Sequence, residues 1–362
     1  MKRSKLLTIL SSTAICMGIT ACSDDMDAPY SPEYSDNQIR FAAETEFSRT
    51  SDITTNNISS FNVYAYTGSS SNPTVFMDNV TVTKTGTNTW EYSPIKYWPA
   101  KDAVDFYAFA PASWVGKTGP LLPVPYDSIA GDEDIVYAVI PNLSGNNGQP
   151  NAQVVFNFRH ALSKLTIKLS STDTKLKVVV SNVAMTNIMT KGNFSFPSAS
   201  TADPASPETV GKWSDQNTAY SYILHWSQAL SELLTLTPTP TVIAASGMGR
   251  GGNMFVLPQP LSFHNNGSGN DTYIALQCSI YDAASDEKLW PNENTPEDQR
   301  VPGSTTGDGI LKFPLSTSKY TEWQPGCHYI YNLVVNSNDD MGAIEFGSPT
   351  VDTFIDVETT YQ

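Results

Sequence analysis

Short runs in which apolar and polar residues trade places at every second position recur along this 362-residue chain. They include Phe61 to Tyr66, Val104 to Phe109, Val154 to Phe158, Leu165 to Leu169 and Tyr329 to Val335. A period of two lines one face of an extended segment with apolar side chains. Runs this short, closed by turn residues, are the pattern of β-sandwiches. The turn residues are dense in Thr67 to Pro73, Leu143 to Pro150 and Asn265 to Asn270, which read as surface loops. Charged residues make up 16% of the chain, against a usual share of about 25%, which excludes a coiled coil or long-helix protein. The expected class is therefore all-β.

The length corresponds to about two domains at roughly 150 residues each. An apolar run meets Ser170-Ser171-Thr172-Asp173, which sets the expected division into 38–168 and 169–362. One stretch departs from the β pattern. From Tyr220 to Leu234, Ile223, Trp226, Leu230 and Leu233 stand at near-helical spacing and predict a helix in an irregular insertion of the second segment. No internal repeat of fixed period is present.

The first residues carry Lys2, Arg3 and Lys5, then a short and mostly apolar stretch, Leu6 to Ile19, closed by Ile19-Thr20-Ala21-Cys22. That order predicts a lipoprotein signal peptide over 1–21. Small side chains at Thr20 and Ala21 suit a signal peptidase groove, and the thiol of Cys22 accepts the lipid. Two or three acyl chains hold a protein on a bilayer stably, at about 0.8 kcal/mol per buried CH₂. Residues 22–37 are acidic, polar and unpatterned, and read as a flexible tether. The acids Asp24, Asp25 and Asp27 resemble the export signal that carries lipoproteins of some anaerobic Gram-negative bacteria to the outer face of the outer membrane. No later run approaches the roughly 18 apolar residues of a membrane-spanning helix.

The formal charge is -15, from 36 acids and 21 bases. Loss of the three bases of the signal leaves 36 acids against 18 bases, or -18. Such a surface repels phosphate backbones and argues against nucleic acid as a partner. Of the four cysteines, Cys16 leaves with the signal and Cys22 is acylated. Cys278 falls on the apolar face of Ile274 to Ile280 and reads as a buried thiol. A disulfide between Cys278 and Cys327 is the alternative in an exported protein.

The catalytic inventory is thin. The four histidines, His160, His225, His264 and His328, are isolated and lack metal-site spacing. Gly247 to Gly252 is glycine-rich, but no Lys-Ser/Thr ends it and no βαβ pattern surrounds it, so it reads as a loop. Asp132-Glu133-Asp134 reads as a solvated acidic loop rather than a glycosidase pair. His160, between Arg159 and Ala161-Leu162, reads as a hydrogen-bonded structural residue. No enzyme activity, metal or cofactor is expected.

Seven segments in order resemble the fimbrillin family of the Mfa-like type, the pilus subunits and related surface lipoproteins of gut and oral anaerobes. They are Ile39-Arg40-Phe41 with Ser48-Arg49-Thr50, Phe61 to Tyr66, Lys96-Tyr97-Trp98-Pro99 leading to Asp105 to Pro111, Asp134 to Ala138, Phe156 to Leu165, Phe255 to Gln259, and Trp323-Gln324-Pro325-Gly326 before Tyr329. The resemblance implies two tandem β-sandwich domains of the transthyretin-like kind. It also implies assembly: a trypsin-like protease removes the first strand, and the opened groove takes a strand from a neighbouring subunit. That is β-augmentation, in which ladder hydrogen bonds give affinity and alternate side chains give specificity.

Carried onto this chain, the first strand is Gln38 to Ala43 and the cleavage residue is Arg49, with Arg40 as competitor and an uncut surface cation as the alternative for Arg49. The implied donor is the C-terminal tail, where Val351, Thr353, Ile355 and Val357 share one face and Phe354 falls on the other. Partners are then other fimbrial subunits, with a host glycan or protein as receptor. The competing reading is a non-polymerising surface lipoprotein that binds glycan or host protein, with Trp90, Trp98, Trp213 or Trp290 stacking on sugar rings; large aromatics more often serve as core.

Overall fold

The computed structural model describes residues 38–45, 58–87, 89–114, 119–127, 131, 133–145, 153–200, 210–226, 233–243, 253–264, 269–301, 303, 307–337, 344–346 and 350–353. Among them are twenty β-strands and no α-helix. The first eight are β1 (Arg40–Thr45), β2 (Ser60–Ser69), β3 (Asn72–Lys84), β4 (Trp90–Tyr92), β5 (Val104–Ala110), β6 (Val124–Asp127), β7 (Val136–Leu143) and β8 (Gln153–His160). Next come β9 (Ser163–Ser170), β10 (Leu176–Ser195), β11 (Lys212–Trp226), β12 (Leu234–Thr235), β13 (Thr241–Val242) and β14 (Asn253–Val256). The last are β15 (Tyr273–Asp282), β16 (Lys288–Trp290), β17 (Gly309–Pro314), β18 (His328–Ser337), β19 (Ile344–Phe346) and β20 (Thr350–Thr353).

Seven strands make the first sheet in the order β1-β8-β7-β5-β2-β3-β4. Every neighbour in it is antiparallel except β1 and β8, which run parallel. The sheet curls until its two edges meet: Ile39 N–H donates to the Lys96 carbonyl at 3.0 Å, just beyond β4. A second sheet runs β11-β10-β15-β16, with β6 and β12 also on β10 and β17 on β15. A third runs β13-β9-β18-β19, with β14 on β9 and β20 on β18.

Period-two patterning works as the sequence predicts in β15, where Ile274, Leu276, Cys278 and Ile280 are fully buried. It works against the expected helix. Residues 220–226 belong to β11, paired antiparallel with β10, and 227–232 lie outside the described residues. The misleading spacing has a plain cause: Tyr222 and Leu224 point inward while Ile223 between them is 48% exposed, so both faces of the strand carry apolar side chains.

Two cores differ in chemistry. The first gathers Phe41, Phe61, Phe106, Phe156, Phe158, Tyr92 and Trp98 around small residues such as Ala65 and Ala108. The second is mainly Leu, Ile and Val from β9, β10, β15 and β18, with Trp323, Tyr329 and Tyr331 at one end. Between the two lies an aromatic junction. Phe194 packs against Tyr137, Trp114, Trp213 and Phe196 at centroid distances of 4.9, 5.0, 5.1 and 5.3 Å. Strand β6, which precedes most of the second sheet by some distance in sequence, crosses over to pair with Lys191–Phe194 of β10. A sharp turn also ties the halves: Gly326 at φ 70 closes Gln324-Pro325-Gly326-Cys327, and its N–H donates to the Leu162 carbonyl at 2.9 Å. Positive φ costs glycine nothing, which is why that residue stands there.

Candidate functional site

The residues of β1 explain its seat. Ile39, Phe41 and Ala43 alternate inward at 0%, 1% and 8% exposure, while Arg40 and Ala42 face outward. Phe41 stacks on Phe156 at 5.7 Å and 15°, and meets Tyr92, Phe106 and Phe61 edge-on at 5.0, 6.1 and 6.4 Å. Such pairs add about 0.5–1.5 kcal/mol beyond the area they bury. The backbone of β1 is held on one side by a six-residue parallel ladder, Arg40 opposite Gln153 through Thr45 opposite Phe158. Gln153 Nε2 adds a bond to the Phe41 carbonyl at 2.9 Å. On the other side the Tyr92 hydroxyl donates to the Ile39 carbonyl at 2.9 Å. Burial pushes the Tyr92 phenol above its ordinary range, so it stays a donor.

β1 is thus a strand at the start of the described chain, seated in a groove walled by aromatic rings. The observed strand, Arg40–Thr45, starts later than the expected Gln38 to Ala43. Gln38 still makes an isolated bridge to Tyr97. Arg40 lies within the ladder, opposite Gln153. Cys22, the 1–21 signal, the 22–37 tether, Arg49, Ile355 and Val357 lie outside the described residues, as does Gly247 to Gly252.

The tail belongs to another sheet. Strand β20 puts Val351 opposite Tyr331 and Thr353 opposite Tyr329, antiparallel on β18. The opposite edge of β18 carries β9 in a parallel ladder from His328–Lys164 to Val334–Ser170. Arg40 and the tail residues Val351 and Thr353 are therefore brought into different sheets.

Other sequence readings fare unevenly. Cys278 and Cys327 are not bridged. Burial, with Asp308 adding to it, pushes the Cys278 thiol up and keeps it inert. Asp134 is not solvated: it is 4% exposed and receives His160 Nδ1 at 2.9 Å, which gives His160 its structural partner. Glu133 is exposed, and Asp132 lies outside the described residues. Trp98 and Trp290 are buried, which removes two of the four tryptophans offered for sugar stacking, and Trp90 is half-buried against Phe61 with Lys84 Nζ 5.6 Å from its ring centroid. Trp213 lines a cleft of about 540 Å³ with Lys212, Gln216, Pro258, Glu322 and Pro325. Its indole N–H is fixed on the Ala161 carbonyl at 2.7 Å. Sequence reasoning missed Tyr92 and Gln153, which clamp β1 by bonds to backbone carbonyls across 53 and 112 residues of chain; no local pattern marks such contacts.

Fold and site together define an all-β protein whose first described strand is plugged into an aromatic groove. The profile of the family described as Fimbrillin-like matches residues 48–353. The chain belongs to that family, which supports a fimbrial or adhesive role at the cell surface. Among solved structures, a fimbrial protein from Bacteroides vulgatus shares the fold at TM-score 0.51 and 17% identity, covering 88% of this chain and 99% of that one. The tip fimbrial protein Mfa3 from Porphyromonas gingivalis, truncated at its C-terminus, aligns at TM-score 0.41 and 11% identity over 88% of this chain and 99% of its own. No curated protein sequence matches the chain.

Proposed function

We propose that this chain is a structural subunit or tip adhesin of a cell-surface fimbria, anchored at first through a lipid on Cys22 and assembled by strand exchange. Proteolysis between β1 and β2 frees β1, and the groove it leaves accepts a strand from a neighbouring subunit. The observation that carries this reading is the seat of Phe41: one terminal strand plugs an aromatic groove through an edge ladder that a second strand can replace. An emptied groove is otherwise an aggregation hazard, so cleavage coupled to assembly is coherent. Cleavage after Arg49 is favoured over Arg40, whose backbone lies in the ladder and is paired against a protease. The tail around Val351, Thr353, Ile355 and Val357 is the proposed donor, and the two core clusters support two tandem sandwiches. The role is structural rather than enzymatic.

The test is the N-terminal residue and mass of the protein recovered from the cell surface. A chain starting at Thr50 without lipid is the expected outcome, and a start at Phe41 moves the cut to Arg40. An intact, acylated Cys22 sinks the processed-stalk form of the proposal. A second reading, a non-polymerising lipoprotein that binds glycan or host protein, draws on one observation, the Trp213 cleft.

A further inference from the structure

Strand β8 is held very unequally on its two sides. Toward β1 it has six paired residues, 153–158. Toward β7 the ladder consists of Val136 opposite His160 and Tyr137 opposite Arg159, and stops. Continuing that register would set Val139 opposite Asn157. At that place a side chain from the far half of the chain enters between the strands. The Val139 N–H donates to Ser200 Oγ at 2.7 Å, and the Ser200 N–H donates to the Val139 carbonyl at 2.9 Å. Ser200 Oγ lies 3.3 Å from the Val139 carbonyl and 3.4 Å from the Asn157 carbonyl, so its single proton serves one or the other. Ser200 is 7% exposed and follows β10, the longest strand of the second sheet. Ser200 thus stands between two residues that a continued ladder would pair directly, and satisfies backbone groups that burial would otherwise leave unpaired.

We infer that Ser200 is a positioning residue of the strand-acceptor groove, a latch that keeps β8 in place once β1 has gone. This rests on the strand-exchange reading above. With β1 present, the ladder to it holds β8 and Ser200 is one anchor among several. With β1 absent, residues 153–158 lose that partner; the ladder to β7, the Ala161 N–H on the Ile135 carbonyl and the His160–Asp134 bond hold the far end of β8, and Ser200 reaches the stretch that β1 has left. Asn157, the residue Ser200 reaches, lies between Phe156 and Phe158, whose rings wall the groove. Apolar walls facing an empty groove gain by closing on each other, so fixing Asn157 keeps the groove open. The acceptor site is then composite. The first sheet supplies its walls, and the segment after β10 supplies the latch, assisted by the Gly211 N–H on Tyr137 Oη at 2.7 Å, which anchors β7.

The experiment uses the full chain with a site-specific protease sequence placed between β1 and β2. Wild type, Ser200→Ala and Ser200→Thr are compared, uncut and cut. Two readouts are taken: uptake of a labelled synthetic peptide of residues 350–358, and deuterium exchange of the β8 amides. Expected for cut Ser200→Ala are uptake at least tenfold slower than wild type and β8 exchange at least tenfold faster. Uncut Ser200→Ala should match wild type within about threefold in β8 exchange, and Ser200→Thr should restore both readouts. Should Ser200→Ala fail to fold uncut, the isosteric pair Ser200→Thr and Ser200→Val carries the same comparison. Equal β8 exchange in cut wild type and cut variant overturns the latch. If wild type takes up no peptide while the exchange difference stands, the strand-exchange reading fails and the latch survives.

Discussion

The strands at the two ends of the described chain both lie on sheet edges, yet the strands they cover depend on them very differently. Strand β18, under β20, keeps a parallel ladder to β9 on its other side, and its inward rings are tied by their own hydroxyls. Tyr331 Oη donates to the Leu315 carbonyl and accepts from Trp323 Nε1, both at 2.9 Å, and Tyr329 Oη accepts the Gln324 N–H at 2.8 Å. Strand β8, beside β1, has in reserve the short ladder to β7, the His160–Asp134 bond at its far end and the Ser200 bridge. Strand β18 thus keeps anchors of its own beside β20, whereas β1 is part of the core it closes. A strand of this kind leaves behind a shaped apolar cavity when it departs, and such a cavity can recognise a replacement.

The largest effect should come from the plug. Phe41→Ala removes a ring that touches four others, and we expect roughly 3–5 kcal/mol of lost seating for β1. Because β1 can open locally, the loss should appear as faster exchange of β8 amides and faster proteolysis between β1 and β2, with the second core intact. If Phe41→Ala instead lowers the melting of the whole chain as much as Leu276→Ala does, β1 is no separable plug and the comparison breaks.

A smaller effect tests the claim that β18 is self-sufficient. Tyr331→Phe strands the Trp323 indole N–H and the Leu315 carbonyl in a buried site, and should cost about 1–3 kcal/mol in denaturant unfolding. An unchanged midpoint would show that the β18 hydroxyls are not its anchor.

The smallest is a pH effect at the start of the same strand. Burial first, then Lys164 and Lys168, push the His328 ring from 6.5 down to about 4, and Thr166 Oγ1 bonds its Nε2 at 2.8 Å. The unfolded chain therefore takes up a proton that the folded chain resists between those values. Stability from this ring is full above pH 6.5 and is lost as pH falls toward 4. For a half-buried ring the change should be roughly 1–2 kcal/mol after solvent screening. His328→Gln should flatten that part of the stability profile, and an unaltered slope between wild type and variant would assign the pH dependence to other groups.

Several parts of this architecture could be read before any coordinates. Alternation marked β2, β5, β8, β9, β15 and β18; in β8 and β18 it follows one buried face, whereas β2 and β9 bury both. The first strand, expected over Gln38 to Ala43, came from the family resemblance rather than from alternation. Alternation failed at β11, where Ile223 adds an apolar residue to the outer face, and at Asp134, whose acidic neighbours in sequence gave no hint of the histidine it meets across 26 residues.

The sequence by itself determined the all-β class, the family and, in strands such as β8 and β18, the buried face, since these depend on period and local composition. Only the tertiary structure decided that β1 runs parallel to β8, that β6 crosses to the second sheet, and that Ser200 bridges Val139 and Asn157. Pairing partners and single hydrogen bonds across a fold are set by which distant segments can satisfy one another's backbone groups once burial has removed water. No window of sequence holds both members of such a pair.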